Sequence, residues 1–210
     1  MKLLLQCAMV CLLAFTRLQA QVIEFESNGL KYQTLTKSGL TVMFASIPSQ
    51  IRGYTVFQVA VNNGSKYICT VDPEDFFFRR EDGSTLRAQP ARQIVRRMLE
   101  KANRDDVIKL VGAYELGLYG LQRMQSTNGY EQRRQTAIGE IGGNKLKAAA
   151  AASAIALVRN KVVAGEATDG AIFFNVESKA MGLGRLTVKI AGELFEFDPM
   201  TPLLSHHQSP

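Results

Sequence analysis

The chain has no tryptophan, three cysteines and two histidines, and each scarcity removes a chemistry. His206 and His207 stand side by side near the end of the chain. A folded site that uses histidine as base, nucleophile partner or metal ligand is therefore not expected. Cys7 and Cys11 fall in the apolar start, so only Cys69 lies beyond it. Once that start is removed, no intramolecular disulfide can form. Such a chain must bury an apolar core to stay folded, and it is long enough to do so. Cys69 sits in the apolar run Tyr67–Val71, which predicts a buried, inert thiol.

Other signatures are missing as well. There is no Gly-x-Ser-x-Gly elbow, no phosphate loop and no zinc-type spacing. Gly139-Glu140-Ile141-Gly142-Gly143 lacks the Lys-Ser/Thr that completes a phosphate loop, and reads as a turn. Asp72, Glu74 and Asp75 crowd around Pro73, a pattern expected of a solvated turn rather than of a catalytic carboxylate pair. No catalytic residue, metal ligand or cofactor is assigned.

What is present begins with Lys2 and an apolar run from Leu3 to Phe15 broken only by Gln6. The run has the length of a secretory h-region and falls short of the roughly 20 residues that span a bilayer. Ala20 follows as a cleavage point. Residues 1–20 are thus expected to be a signal peptide, and the mature protein to be exported, periplasmic or secreted. Lipidation at Cys11 is the lesser reading, because Val10 replaces the small residue wanted before a lipidated cysteine. No transmembrane span is expected in the mature chain.

Three regions follow. Residues 21–88 read as the first part of a β structure. Leu30–Thr36 and Thr41–Ile47 flank a Lys37-Ser38-Gly39 hairpin signal. In Tyr54–Val61, Phe57, Val59 and Val61 alternate onto one face. Asn62-Asn63-Gly64-Ser65 predicts a tight turn back into a strand over Lys66–Val71, and Asn63-Gly64-Ser65 also matches a glycosylation acceptor pattern. Phe76–Arg80 and Ser84–Arg87 flank Asp82-Gly83. Residues 89–167 read as a helical insertion of about three helices. Pro90 opens the first, in which Ile94, Val95, Met98, Leu99 and Ala102 share one side. A second, glycine-bearing helix starts near Asp105-Asp106. A mobile loop is expected at 125–144, then an alanine-rich helix from Lys145 through Val162. Residues 168–198 read as final strands: Ala171–Glu177, Arg185–Ile190 and Glu193–Phe197, the last two joined across Ala191-Gly192. Too few to stand alone, they are expected to complete the earlier sheet. Residues 199–210 read as a disordered tail.

The strand Thr55–Val61, the Asn62–Ser65 turn, the strand through Val71 and FFFRREDG at 76–83, with GAIFFNVES at 170–178 and LTVKIAGELFEF at 186–197, resemble secreted bacterial immunoglobulin-like sandwich domains. The resemblance covers the β portions only, and the Cys…Trp…Cys hallmark of antibody-type domains is absent. It implies an immunoglobulin-like antiparallel β-sandwich as scaffold; the helical region has no counterpart in such a domain, so the expected fold is α+β, a sandwich with a helical insertion before the last strands. It brings no catalytic residues with it.

Charge is placed unevenly. The formal net charge of +6 becomes +4 without Lys2 and Arg17. Residues 87–167 hold 14 Lys/Arg against 7 Asp/Glu, and the rest of the mature chain holds 9 against 12. Arg92, Arg96, Arg97, Lys101 and Arg104 therefore form the candidate contact for an anionic envelope component or partner protein; a merely solvated helix face is the alternative. Nucleic acid is not an expected partner, since no aromatic residues interleave with this cluster. The expected function is a non-enzymatic exported binding or scaffold module of the cell envelope. A carboxylate-only glycan hydrolase and a self-associating structural protein are the alternatives.

Overall fold

A computed structural model describes residues 20–48, 53–97 and 153–202 with their side chains, and the backbone of 98–101. Eleven strands and two helices occupy these residues: β1 (Ile23–Ser27), β2 (Leu30–Lys37), β3 (Leu40–Ile47), β4 (Thr55–Asn63), β5 (Cys69–Val71), β6 (Phe76–Arg80), β7 (Thr85–Arg87), α1 (Ala91–Lys101), β8 (Asn160–Val162), β9 (Ala167–Phe174), α2 (Ser178–Met181), β10 (Gly184–Ile190) and β11 (Glu193–Glu196). A five-stranded sheet runs β1-β2-β3-β4-β9, a four-stranded sheet β11-β10-β6-β7, and a two-stranded piece pairs β5 with β8. All of these strand pairs are antiparallel.

The period-2 patterning explains how the two larger sheets face each other. Phe44, Phe57, Val59, Val61, Ile172 and Phe174 point inward from the first sheet. Phe76, Phe78, Leu186, Val188 and Phe195 do so from the second, and all join one buried cluster. Aromatic edges knit the layers: Phe44 meets Phe197 at 4.8 Å and Phe78 meets Phe174 at 6.2 Å, both edge-on. Each such pair adds about 0.5–1.5 kcal/mol beyond the area it buries. The result is a mostly antiparallel, sandwich-like α+β fold. Cys69 and Val71 enter the same core from β5.

Short hairpins set the registers. Asn28-Gly29, Ser38-Gly39 and Ala191-Gly192 all have positive φ at both central positions, the conformation that two-residue hairpins require. Ala191 holds φ 51° with a Cβ that disfavours that region.

The final strands divide between the sheets. β9 pairs with β4, with Thr55 opposite Phe174 and Asn62 opposite Ala167, while β10 pairs with β6. The outer edge of β9 is covered by the two ends of the insertion. The Gln89 amide donates to the Phe173 carbonyl at 2.8 Å, and the Leu157 amide donates to the Ala171 carbonyl at 2.8 Å. Gly170 makes the second contact possible, because a Cβ there would lie 2.4 Å from the Leu157 Cα.

β1 lies ahead of the first strand named from the sequence; Ile23 and Phe25 alternate with Glu24 and Glu26, and all four are exposed. Three expectations need correction. Asn62–Ser65 does not close a β4–β5 hairpin. β4 continues to Asn63 and β5 pairs with β8 instead, because the Asn63 side chain takes on bonds that a reverse turn would not supply. The alanine-rich helix does not reach Val162: residues 153–155 are helical, Ala156 bridges Ala171, and Asn160–Val162 is β8. The tail is ordered at its start, where Met200 exchanges two backbone hydrogen bonds with Gly184 and packs on the core. Residues 1–19, the 125–144 loop, the glycine-bearing second helix and 203–210 lie outside the described residues.

Asn63 has no exposed surface and uses its whole amide. Nδ2 donates to the Tyr67 carbonyl at 2.7 Å and the Val162 carbonyl at 2.8 Å. Oδ1 accepts from the Ser65 amide at 3.0 Å and the Ser65 hydroxyl at 2.6 Å. A residue so enclosed leaves no room for a glycan, whatever its sequon. Asn63→Ala strands buried carbonyls and should lower unfolding free energy by about 2–4 kcal/mol, read as a shifted denaturant midpoint. Ala191→Asn, which tolerates the left-handed region, should raise it by about 0.5–1 kcal/mol in the same measurement.

Candidate functional site

The candidate basic face is carried by α1. Pro90 presets the first turn; its carbonyl accepts from the Gln93 amide at 2.9 Å and the Ile94 amide at 3.4 Å. Ile94 is fully buried while Arg92, Arg96 and Arg97 are exposed, so the helix lies with one face on the protein and a cationic face outward. Its start is held by the Gln89–Phe173 bond at the edge of β9.

The predicted arginines do not share one role. Arg92 is exposed on the outer face. Arg96 is exposed too, though engaged within the molecule. Arg97 reaches back to the sandwich: Nη1 donates to Asn175 Oδ1 at 3.0 Å, and the guanidinium charge lies close enough to act on the Tyr54 hydroxyl. Burial raises the Tyr54 phenol above its ordinary value, with the Arg97 charge opposing that rise. Tyr54 in turn meets Phe173 edge-on at 6.3 Å. Arg97 thus fastens the helix to the end of β9. Lys101 lies in the helix with only its backbone described, and Arg104 lies outside the described residues.

The carboxylates around Pro73 build a short 3-10 turn, Pro73–Asp75. Asp72 caps it, Oδ1 accepting from the Glu74 amide at 3.0 Å. Asp72 also faces Arg159 at 3.7 Å, and Glu74 faces Arg87 at 3.9 Å. The Arg87 Nε–H donates to the Glu74 carbonyl at 2.6 Å. These acids are engaged in turn geometry and ion pairing. Sequence reasoning misses Arg159 as a partner because the helical reading carries that residue past its true place, just before β8. Burial, then the Asp72 carboxylate, raises the Asp75 carboxyl above its ordinary value. Burial likewise pushes the Cys69 thiol up, as expected of an inert core cysteine.

Among the described residues, no group of three or more His, Cys, Asp or Glu is placed to hold a metal ion. Among them, too, no helix is long and apolar enough to cross a membrane. Comparison with models of known protein families, with curated proteins and with solved structures found no match to this chain.

The raised Asp75 value gives a pH signature. The folded state favours the protonated acid, so its stabilisation is complete below the ordinary value of 3.8 and is lost as pH rises through the higher folded value. Asp75→Asn should remove that loss. Denaturant midpoints between about pH 4 and about pH 7 should fall less steeply for the variant than for the parent protein.

Proposed function

We propose that the protein is a non-enzymatic, exported binding or scaffold module of the cell envelope, in which the sandwich presents the basic face of α1 to an anionic partner. The observation that carries this reading is the two-sided helix: Ile94 is fully buried against the protein while Arg92 and Arg96 point outward. Cationic side chains on a fixed helix raise the local concentration of anions and speed encounter without any need for a pocket. The insertion is a seated part of the molecule at both ends, so its outer face is presented at a defined angle.

One feature supports a binding role over carboxylate chemistry. Asp72 and Glu74 face Arg159 and Arg87 in a capped turn, whereas a glycosidase pair must flank a substrate about 5–10 Å apart. The apolar start with Ala20 supports export. The immunoglobulin likeness is carried by the two-layer antiparallel packing; the meander of four consecutive strands, β1 to β4, is the chain's own order.

The partner interface is tested by retention on envelope fractions at low and raised salt. The protein should be retained at low salt and released as salt rises. Reversal of Arg92 and Arg96 to Glu should abolish retention, and Arg92→Glu alone, which leaves the intramolecular engagement of Arg96 in place, should weaken it while stability stays within about 0.5 kcal/mol of the parent. Retention that ignores the reversal would exclude the α1 face. Arg97 is left out of the reversal because it anchors the helix; Arg97→Ala should lower stability by about 1–2 kcal/mol.

A further inference from the structure

A second surface lies at the opposite end of the sandwich from the α1 anchor. The anchor sits beside Tyr54, Phe173 and Asn175, where Thr55 pairs with Phe174. The other end of the same two strands, where Asn62 pairs with Ala167, is about 20–25 Å away at the ordinary strand rise. There Asn63 gathers the loops: beyond its side-chain bonds, its amide donates to the Glu166 carbonyl at 2.9 Å and its carbonyl accepts from the Gly165 amide at 2.7 Å.

These loops hold the two most exposed large apolar side chains of the described residues, Tyr67 and Ile68. Tyr67 is 80% exposed and Ile68 63%, with Val163 at 38%. Ile68 and Val163 flank the β5–β8 pair Cys69–Val162. The β2–β3 turn abuts them, since a Cβ on Gly39 would lie 3.1 Å from the Ser65 Cα. Ser38, in that turn, donates to Glu193 Oε1 at 2.7 Å, and Lys37 Nζ donates to the carbonyl of Leu194 at 2.6 Å. Leu194, 47% exposed, therefore belongs to the same end.

Three of these apolar groups have a lysine close in sequence or in the sheet. Lys66 precedes Tyr67, Lys161 stands two residues from Val163, and Leu194 is paired with Lys189 and bonded by Lys37. Against these four lysines stand Glu166 and Glu193, the latter accepting from Ser38. Apolar tips on separate turns, with ammonium groups beside them, match the layered chemistry of a bilayer interface: acyl chains below, anionic headgroups at the level of the amines. The Tyr67 backbone is also pinned, its carbonyl accepting from Asn63 and its amide donating to Ser65 Oγ at 3.3 Å. The exposed ring is thus held on a fixed support, which lowers the ordering cost of insertion.

We propose that this end of the sandwich, with Tyr67 and Ile68 at its centre, docks on the surface of an anionic lipid bilayer. The proposal stands apart from the α1 reading, because the two surfaces occupy opposite ends and are separately mutable.

Vesicle co-sedimentation of the mature protein tests it, using roughly 70% phosphatidylcholine with roughly 30% phosphatidylglycerol, beside phosphatidylcholine alone. The protein should sediment with the anionic vesicles and far less with the neutral ones. Tyr67→Ser with Ile68→Ser should reduce partitioning about tenfold or more, and Arg92→Glu with Arg96→Glu should leave most of it. Because the chain has no tryptophan, Tyr67→Trp supplies a single fluorophore whose emission should shift to the blue on the anionic vesicles. The proposal is overturned by a parent protein that ignores both vesicles, by partitioning indifferent to the Tyr67 and Ile68 changes, or by an unshifted Tyr67→Trp spectrum. It is equally overturned if binding is lost with the α1 reversal alone, which assigns the lipid to the helix. A Tyr67-dependent dimer that does not bind vesicles assigns the tip to a second copy instead.

Discussion

One buried amide decides how the two ends of this chain meet. Asn63 closes β4 and reaches partners nearly a hundred residues away, at Val162 and Glu166. Satisfied at every hydrogen-bonding position, it stabilises by what its loss would leave unpaired as much as by the bonds it forms. The geometry it enforces turns the chain out of the first sheet after β4 and delivers β5 to β8. It also places Cys69, Val71 and Val162 in the core. A hydrophobic residue at this position would fill the space without specifying the path.

The electrostatic arrangement follows the same division of labour. Arginines that touch the sandwich are fastening elements: Arg97 on Asn175 and Tyr54, Arg87 on the Glu74 carbonyl, Arg159 on Asp72. Exposed ion pairs of this kind contribute little each, typically under about 1 kcal/mol. Their value lies in orienting the segments that leave and rejoin the sheets. Among the described residues, outward-facing cations lie on α1 and around the Asn63 loops, at opposite ends of the sandwich, and others such as Lys31, Lys179 and Arg185 are scattered between them.

How legible this was depends on how local each signal is. The X-Gly turns at Ser38-Gly39, Asp82-Gly83 and Ala191-Gly192 are set by the φ of one or two residues, so they can be read directly, and β2, β3, β6 and β10 follow from them. The face of α1 is equally plain, since Ile94 and Arg92 differ in phase along one helix. Asn62–Ser65 has the same turn composition, yet its Asn63 answers to residues far along the chain that no local window contains. β8 is hidden for a related reason: an alanine-rich run favours helix, and what ends it is the bare backbone of Gly170, which admits Leu157 to the edge of β9. β1 is legible too, since Ile23 and Phe25 alternate with Glu24 and Glu26 and Asn28-Gly29 marks the turn after it, but the exposure of both its faces is not. Among the candidate arginines, sequence phase places Arg92, Arg96 and Arg97 on one face of one helix but cannot tell the anchor from the free surface, because Asn175 and Tyr54 come from other parts of the chain.

The two ends of the insertion stand two residues apart on β9, at Phe173 and Ala171, and β9 is made after them. A chain that emerges from its amino terminus has no place to set either end until that strand has been delivered. During that interval the insertion is tethered on one side only, to strands whose neighbour is still missing. The seating of both its ends is then timed by the arrival of residues 167–174. Once β9 docks beside β4, both ends are captured by carbonyls of the same strand, and the edge that β4 had presented closes in the same event.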